Sequence, residues 1–363
     1  MKSINIMIKP ASSSCNLRCR YCFYIDETKN RSFVSHGVMN AETIEILCMR
    51  IDEALEHNGR ANIAFQGGEP TVAGLDWFRA FTSSLDKYPG IDVHYSLQTN
   101  GTLIDEEFAD FLKEHHFLVG ISLDGYQANM DYFRYDIRGK GVFYKVLGCA
   151  ELLEKKGVEY NIITVVTRQL AEHASGLYSF YKSHHMNYVQ LIPCMPPMEE
   201  TDEISMTPSA YRKFYKEFFS CWFKDLRKGK YMSVNLFDNL MEMLSGNPPY
   251  QCGMLGKCTV QYVIESNGDV YPCDFFCLDE YSLGNIKDAS LAAMADSDAA
   301  ASFRDTSGCT KTPCASCRFR NICSGGCRRQ NVCYLSDTDC AYRDVLEEIL
   351  PELDYALKQM SRR

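Results

Sequence analysis

No stretch of this 363-residue chain approaches the run of about twenty apolar residues that a membrane-spanning helix needs. Its opening residues, Met1-Lys2-Ser3-Ile4, lack the long apolar segment and small-residue cleavage site of a secretory signal. A cytoplasmic setting without a membrane partner is therefore the expectation. Positive charge is also scarce: 38 Lys and Arg stand against 47 Asp and Glu, a formal net charge of -9. A nucleic-acid backbone calls for a basic surface, so nucleic acid is not expected as a partner. Internal repeats and low-complexity tracts are missing as well. What remains is ordinary globular composition, 46% hydrophobic and 23% charged, in a length that suits one large domain or two to three ordinary ones.

Cysteine is the residue in excess. Disulfides are rare in a reducing compartment, so 18 cysteines point to metal ligation. Three lie near the start, four are scattered through the middle, and eleven fall between Cys252 and Cys340. The first three form Cys15-x3-Cys19-x2-Cys22. Three thiolates hold three irons of a [4Fe-4S] cubane and leave the fourth open. Simple electron carriers use four cysteines, so an open iron suits a small molecule that must bind the cluster.

Strand and helix signals alternate through the first 200 residues. Strands are expected at Ile4–Lys9, Ala61–Phe65, Val93–Leu97, Phe117–Leu123, Tyr160–Val166 and Tyr188–Ile192. Helices are expected at Ala41–His57, capped by Asn40, near Leu75–Leu85, from Asp105, at Phe143–Lys156, near Ala171–Ser183, at Pro208–Lys228 and at Tyr342–Gln359. Six β-α units imply a parallel sheet with right-handed crossovers. The distinctive residues all follow strands, where parallel α/β folds build their sites. They are the three cysteines, Gly67-Gly68-Glu69-Pro70, Gln98-Thr99-Asn100-Gly101 and Ser122-Leu123-Asp124-Gly125.

The cysteine spacing, the flanking Tyr21 and Phe23, and Gly-Gly-Glu-Pro together resemble the radical S-adenosylmethionine (SAM) enzymes. The resemblance implies an α/β fold, a partial (β/α)6 barrel, with S-adenosylmethionine on the open iron. It implies that Gly67, Gly68 and Glu69 receive the cofactor's ammonium and that Arg134 takes its carboxylate. Ser122 and Asp124 would bond its hydroxyls, and Tyr21 would lie near the adenine. On residue chemistry alone, Arg134 also reads as a solvated charge and the Asp124-Gly125 pair as a turn.

The later cysteines, Cys258-x9-Gly268-x4-Cys273 and Cys314-x2-Cys317-x5-Cys323-x3-Cys327 followed by Cys340, resemble the SPASM domain, which carries two auxiliary [4Fe-4S] clusters. By that resemblance Cys252, Cys258, Cys273 and Cys327 hold one cluster, and Cys314, Cys317, Cys323 and Cys340 the other. That makes three clusters in all. A Cys-x2-Cys pair by itself suits zinc equally well. Cys277, Cys309 and Cys333 lie close enough in sequence to substitute. Cys48, Cys149 and Cys221 read as core residues, and Cys194 has no assigned role. The expected division is a barrel over 1–235, an auxiliary-cluster domain over 236–345 and a terminal helix over 346–363.

The segments Ile8–Ser13, Cys22-Phe23-Tyr24, Ala64–Pro70, Ser96–Gly101 and Tyr271–Phe275 narrow the resemblance to anaerobic sulfatase-maturating enzymes. These oxidise a cysteine or serine of a sulfatase to Cα-formylglycine. The resemblance implies hydrogen abstraction from the target Cβ by a deoxyadenosyl radical, removal of the side-chain proton by a base, and electron exit through an auxiliary cluster. Asp274, next to Cys273, is the expected base. Tyr24, Gln66 and Gln98 are expected to seat the substrate, and a flavodoxin or ferredoxin to supply electrons. Met130 departs from the family, many of whose members carry histidine there. The rival reading is a maturase that crosslinks a ribosomally made peptide. Many such enzymes carry a peptide-binding module before their first cysteines, and a motif opening at residue 15 leaves no space for one. A plain iron-sulfur electron carrier and a zinc-binding interaction module are further alternatives.

Overall fold

The computed structural model describes residues 1–198, 202–305 and 311–360. Among these the strands are β1 (Ser3–Ile8), β2 (Arg60–Phe65), β3 (Asp92–Thr99), β4 (Leu118–Ser122), β5 (Glu159–Val166), β6 (Tyr188–Pro193), β7 (Ser233–Val234), β8 (Val263–Ile264), β9 (Asp269–Tyr271) and β10 (Gly284–Asn285). The helices that matter to the site and its scaffold are α1 (Phe23–Lys29), α2 (Ala41–Ala54), α3 (Leu75–Leu85), α4 (Glu106–Glu114), α5 (Gln127–Phe133), α6 (Phe143–Lys156), α7 (Arg168–Ala171), α8 (Ala174–Ser183), α9 (Pro208–Leu226) and α10 (Asn235–Leu244). No helix of the described residues is long and apolar enough to cross a membrane.

All six expected strands form, as β1 to β6. Strand β3 runs on to Thr99, so Gln98 and Thr99 are strand residues rather than the loop expected after it. Helix α2 begins where Asn40 accepts from the Thr43 amide at 2.9 Å, the side-chain cap its sequence called for. The helix expected near 171–183 is two helices, because Thr167 caps a separate short one, α7. Helix α1 was not expected. The last helix, Ala341–Met360, carries Pro351 inside it.

The chain divides into two compact units. The first comprises Met1–Ser122, Asp131–Tyr160 and Thr259–Asp305. Its strand order is β10-β9-β8-β1-β2-β3-β4. Strands β8, β1, β2, β3 and β4 run parallel, while β9 and β10 are antiparallel additions. Along β1 the alternate residues Ile4, Ile6 and Ile8 are buried, the period-2 pattern of a strand with one covered face. Phe65, at the end of β2, packs against Phe78, Phe81, Trp77 and Phe117 with ring centroids 5.1 to 5.9 Å apart. Such offset and edge-on contacts add to the burial of the rings themselves.

The register of this sheet sets which side chains meet at its carboxyl edge. Ile8 pairs with Ile264 of β8 on one side and with Phe65 of β2 on the other. The next residues along are Glu265, Lys9 and Gln66, held in step by Lys9 N donating to Ile264 O (2.9 Å) and Gln66 N to Ile8 O (3.0 Å). Parallel strands in register turn matching positions to the same face, so Glu265, Lys9 and Gln66 stand in a row at the carboxyl ends of three neighbouring strands.

The second unit comprises Leu123–Met130, Asn161–Cys258 and Thr306–Arg363. In it β6 pairs in parallel with β5 and β7. Helix α9 opens with Thr207 as cap and Pro208 in its first turn, where a missing N–H costs nothing. It buries Phe214, Phe218 and Trp222, whose indole donates to Met232 O at 2.7 Å.

Candidate active site

Cys15, Cys19 and Cys22 fall between β1 and the first turn of α1, and Cys22 is the N-cap of that helix. Burial pushes the Cys15 thiol up to about 11, and the charges of Glu69 and Cys19 push the same way. Burial also raises Cys22, aided by Cys15. Arg134 acts on both in the opposite sense. Three thiols that oppose one another's ionisation in a half-buried site want a strongly cationic partner. The donor set therefore fits an iron cluster.

The Gly67-Gly68-Glu69 turn lies beside these cysteines. A Cβ on Gly68 would sit 2.4 Å from Ser14 O, so the turn lies flat on the backbone that leads into the cysteine loop. A Cβ on Gly67 would sit 2.4 Å from Cγ of Lys9, so this glycine makes way for a lysine stem. Glu69 is buried and fully engaged. Its Oε1 accepts from the Thr71 amide and from the hydroxyls of Thr71 and Thr99, and its Oε2 accepts from Asn100 N at 2.7 Å. Glu69 thus ties the ends of β2 and β3 together. Asn100 in turn donates to Asn16 Oδ1 at 2.9 Å, inside the cysteine loop.

Arg134 is buried, with its guanidinium 5.3 Å from the Tyr21 ring, and Tyr21 packs on Phe133. Cys15, Cys22, Glu69, Tyr21 and Arg134 therefore form one neighbourhood. Ser122, at the end of β4, accepts from Gln98 Nε2 of β3 at 3.1 Å, which joins a residue expected at the cofactor to one expected at the substrate. In the other unit Asp124 Oδ1 accepts from Val165 N at 2.9 Å, and Met130 Sδ accepts from Asp124 N at 3.3 Å. Met130 is fully buried, a core thioether.

The densest chemistry surrounds Asp274, in the 3-10 turn Asp274–Phe276 directly after Cys273. Tyr24 donates its hydroxyl to Asp274 Oδ2 at 2.7 Å. Gln66 Nε2 donates to the same oxygen at 2.9 Å and lies 3.0 Å from the Tyr24 hydroxyl. Lys9 Nζ stands 3.3 Å from Asp274 Oδ1, 3.3 Å from Glu27 Oε2, 3.7 Å from Glu265 Oε1 and 3.1 Å from Cys277 Sγ. Arg31 closes on Glu265 at 2.8 Å. Lys9, Glu27 and Glu265 are each 1% exposed or less. Burial alone would lower Lys9, but the surrounding anions hold it well above its ordinary value. Glu27, by contrast, is raised by burial to about 7.

Sequence reasoning named Asp274, Tyr24 and Gln66, and the fold brings these three together. It missed Lys9, Glu27, Arg31 and Glu265, and it weighed Cys277 only as a substitute cluster ligand. Lys9 was the one with a visible signal, a lone lysine closing an apolar strand immediately before Pro10.

In the second unit a small cavity is lined by Cys314, Cys317, Cys323 and Cys340. Burial raises Cys323 and Cys340, and each also feels Cys317. A pocket walled by four thiols fits a fully protein-ligated cluster. Cys252 feels the charge of Cys327 and Cys258, and a Cβ on Gly253 would come within 3.1 Å of Cys327 N, so these three also gather. Cys273 belongs to the first unit, where its carbonyl accepts from Cys277 Sγ at 3.7 Å. Cys277 is fully buried against Lys9, and Cys333 is buried with its thiol on Cys194 O at 3.4 Å. Cys309 lies outside the described residues. Cys48 and Cys149 are core residues, whereas Cys221 is only partly buried.

Residues 10–180 match the Radical SAM superfamily, and residues 256–318 match SPASM, an iron-sulfur cluster-binding domain. The chain is 42% identical to a cysteine-type anaerobic sulfatase-maturating enzyme of Clostridium novyi, over 91% of this chain and 89% of that one. It is 30% identical to a serine-type anaerobic sulfatase-maturating enzyme of Bacteroides thetaiotaomicron, over 99% and 92%. The solved structure of native anSMEcpe with bound AdoMet and Cp18Cys peptide superimposes with a TM-score of 0.90 at 37% identity, covering 99% of both chains.

Proposed function

The chain belongs to the anaerobic sulfatase-maturating enzymes of the radical SAM superfamily, and from that premise we propose that it is a cysteine-type member with Asp274 as its base. It would oxidise a cysteine side chain of a sulfatase to Cα-formylglycine. The higher identity to the cysteine-type relative supports that choice over serine. The observation that carries the reading is the Tyr24–Gln66–Asp274 triangle, with sides of 2.7, 2.9 and 3.0 Å.

When bound, the iron-sulfur clusters and S-adenosylmethionine supply the one-electron chemistry at the substrate Cβ. Cys15, Cys19 and Cys22 would hold the cofactor-binding cluster. Cys252, Cys258, Cys273 and Cys327 would hold one auxiliary cluster, with the place of Cys273 in that set resting on the family pattern. Cys314, Cys317, Cys323 and Cys340 would hold the other. Gly67, Gly68, Glu69, Arg134, Tyr21, Ser122 and Asp124 would shape the cofactor's seat. Asp274 receives the substrate's thiol proton. Its Oδ2 accepts from both Tyr24 and Gln66, which fixes how the carboxylate is presented. Tyr24, Gln66 and Gln98 would orient the substrate. The functional division we propose is 1–235 for the barrel, 236–345 for the auxiliary clusters and 346–363 for the terminal helix. So many thiolate ligands suit the reducing cytoplasm, with flavodoxin or ferredoxin as the electron source.

The test is anaerobic incubation of reduced protein with S-adenosylmethionine and a peptide carrying Cys-x-Pro-x-Arg. A peptide lighter by about 18 mass units marks conversion of thiol to aldehyde after proton removal. Cofactor cleavage with an unchanged cysteine peptide and an oxidised serine peptide overturns the cysteine assignment.

A further inference from the structure

Asp274 shares one buried space with two further carboxylates, Glu27 and Glu265, two cations, Lys9 and Arg31, and the Cys277 thiol, and their pairing is uneven. Arg31 Nη1 takes Glu265 Oε1 at 2.8 Å, closer than Lys9 at 3.7 Å. Glu27 is anchored at its other oxygen by Cys277 N at 3.1 Å. The Lys9 ammonium, with three protons to place, is thus left to Glu27 Oε2, Cys277 Sγ and Asp274 Oδ1. Oδ1 has no hydrogen-bond partner among the described residues, and Lys9 is the charge it faces.

The backbone reserves this place for a long cationic side chain. Lys9 sits between Glu265 and Gln66 in the row at the strand ends. Its stem runs through the gap left by the missing Cβ of Gly67, and its Nζ lies over the Tyr24 ring, 4.9 Å from the centroid. Tyr24 and Glu27 are three residues apart on α1, so one face of that helix offers the phenol to Asp274 and the carboxylate to Lys9.

We propose that Lys9 is a positioning residue for this oxidation: its ammonium fixes Oδ1 of Asp274 while Tyr24 and Gln66 fix Oδ2, so that the carboxylate meets the substrate in one orientation. The proposal rests on Asp274 being the base. Lys9 touches neither substrate nor cofactor in this role and acts through Asp274 alone.

The experiment compares Lys9→Met, Asp274→Asn and the double variant, each reconstituted to full iron, by kcat and KM for peptide oxidation and by deoxyadenosine release. Lys9→Met is expected to lower kcat by about tenfold or more, with peptide KM and deoxyadenosine release little changed. A structural role would not produce that split. The double variant should be no slower than Asp274→Asn, because residues acting as a unit are not additive. Wild-type kcat in Lys9→Met beside a slow Asp274→Asn overturns the Lys9 proposal and leaves the base in place. A slow Lys9→Met with additive loss in the double variant also overturns it. Wild-type kcat in Asp274→Asn overturns the base assignment and the proposal with it. Should Lys9→Met fail to take up its iron, Lys9→Gln, which keeps a polar head, is held to the same outcomes.

Discussion

Tyr24 and Asp274 lie 250 residues apart in the chain and share a 2.7 Å hydrogen bond in which the phenol donates to the carboxylate. Burial and the Asp274 charge hold the phenol well above its ordinary value. It therefore stays a donor across the working range, and its function toward Asp274 is to orient. Tyr24→Phe should slow peptide oxidation by about tenfold, whereas Asp274→Asn should slow it by about 10²- to 10⁴-fold, the usual span for a lost general base. Product formation under saturating peptide, at equal iron content, measures both. Equal losses in the two variants would remove the distinction between base and orienting group.

Glu27 gives the buried cluster a pH signature. Burial lifts its carboxyl from 4.5 to about 7 in the folded chain, with the nearby Lys9 charge pulling the other way. The folded state thus prefers the protonated acid. That contribution is complete below the unfolded value of 4.5 and fades as pH rises through about 7. Glu27→Gln, fixed in the neutral form, should gain thermal stability relative to the wild type as pH is raised from about 5 to about 8. A difference in melting temperature that stays constant over that interval would take Glu27 out of the pH response.

The four-thiol cavity makes a separate prediction. Cys323→Ala should lose about four irons per chain, one cluster's worth, and leave S-adenosylmethionine cleavage by the first site measurable. Cys277→Ala should keep its full iron, because that thiol is buried against Lys9 Nζ at 3.1 Å. Iron and sulfide analysis of the two variants decides both points. Loss of iron in Cys277→Ala would reassign it as a ligand.

Gly67 is constrained twice, by its φ of +102° and by the Lys9 stem. Gly67→Ala should cost about 1–3 kcal/mol of stability from the backbone conformation alone. It should also reduce peptide oxidation by displacing Lys9. Gly74→Ala, at φ +85° with open space around it, supplies the control that separates backbone strain from the displaced lysine. Equal peptide oxidation in the two variants would deny Gly67 any role through Lys9.

The six strands were legible because their apolar alternation is local. Helix α1 escaped notice because it is only seven residues long and has no side-chain cap; Cys22 stands at its N-cap position. Gln98 was read as a loop residue because β3 is exposed and polar at many positions, so nothing in its pattern marks the strand end. The deeper omission is the charge cluster. Glu27 and Glu265 look like solvated residues in sequence, and only the register of β8 on β1 brings 265 beside 9. Pairings that far apart leave no periodic trace. Asp274 was found because it adjoins a cysteine, and its partners were named for other reasons.

The close approach of Gly67 to Lys9 also limits how this chain can diverge. A methyl group at 67 and a long side chain at 9 would claim the same space, 2.4 Å apart. The two positions are one unit of inheritance. A side chain gained at 67 crowds the lysine stem, and shortening the residue at 9 relieves that crowding at the expense of the charge facing Asp274.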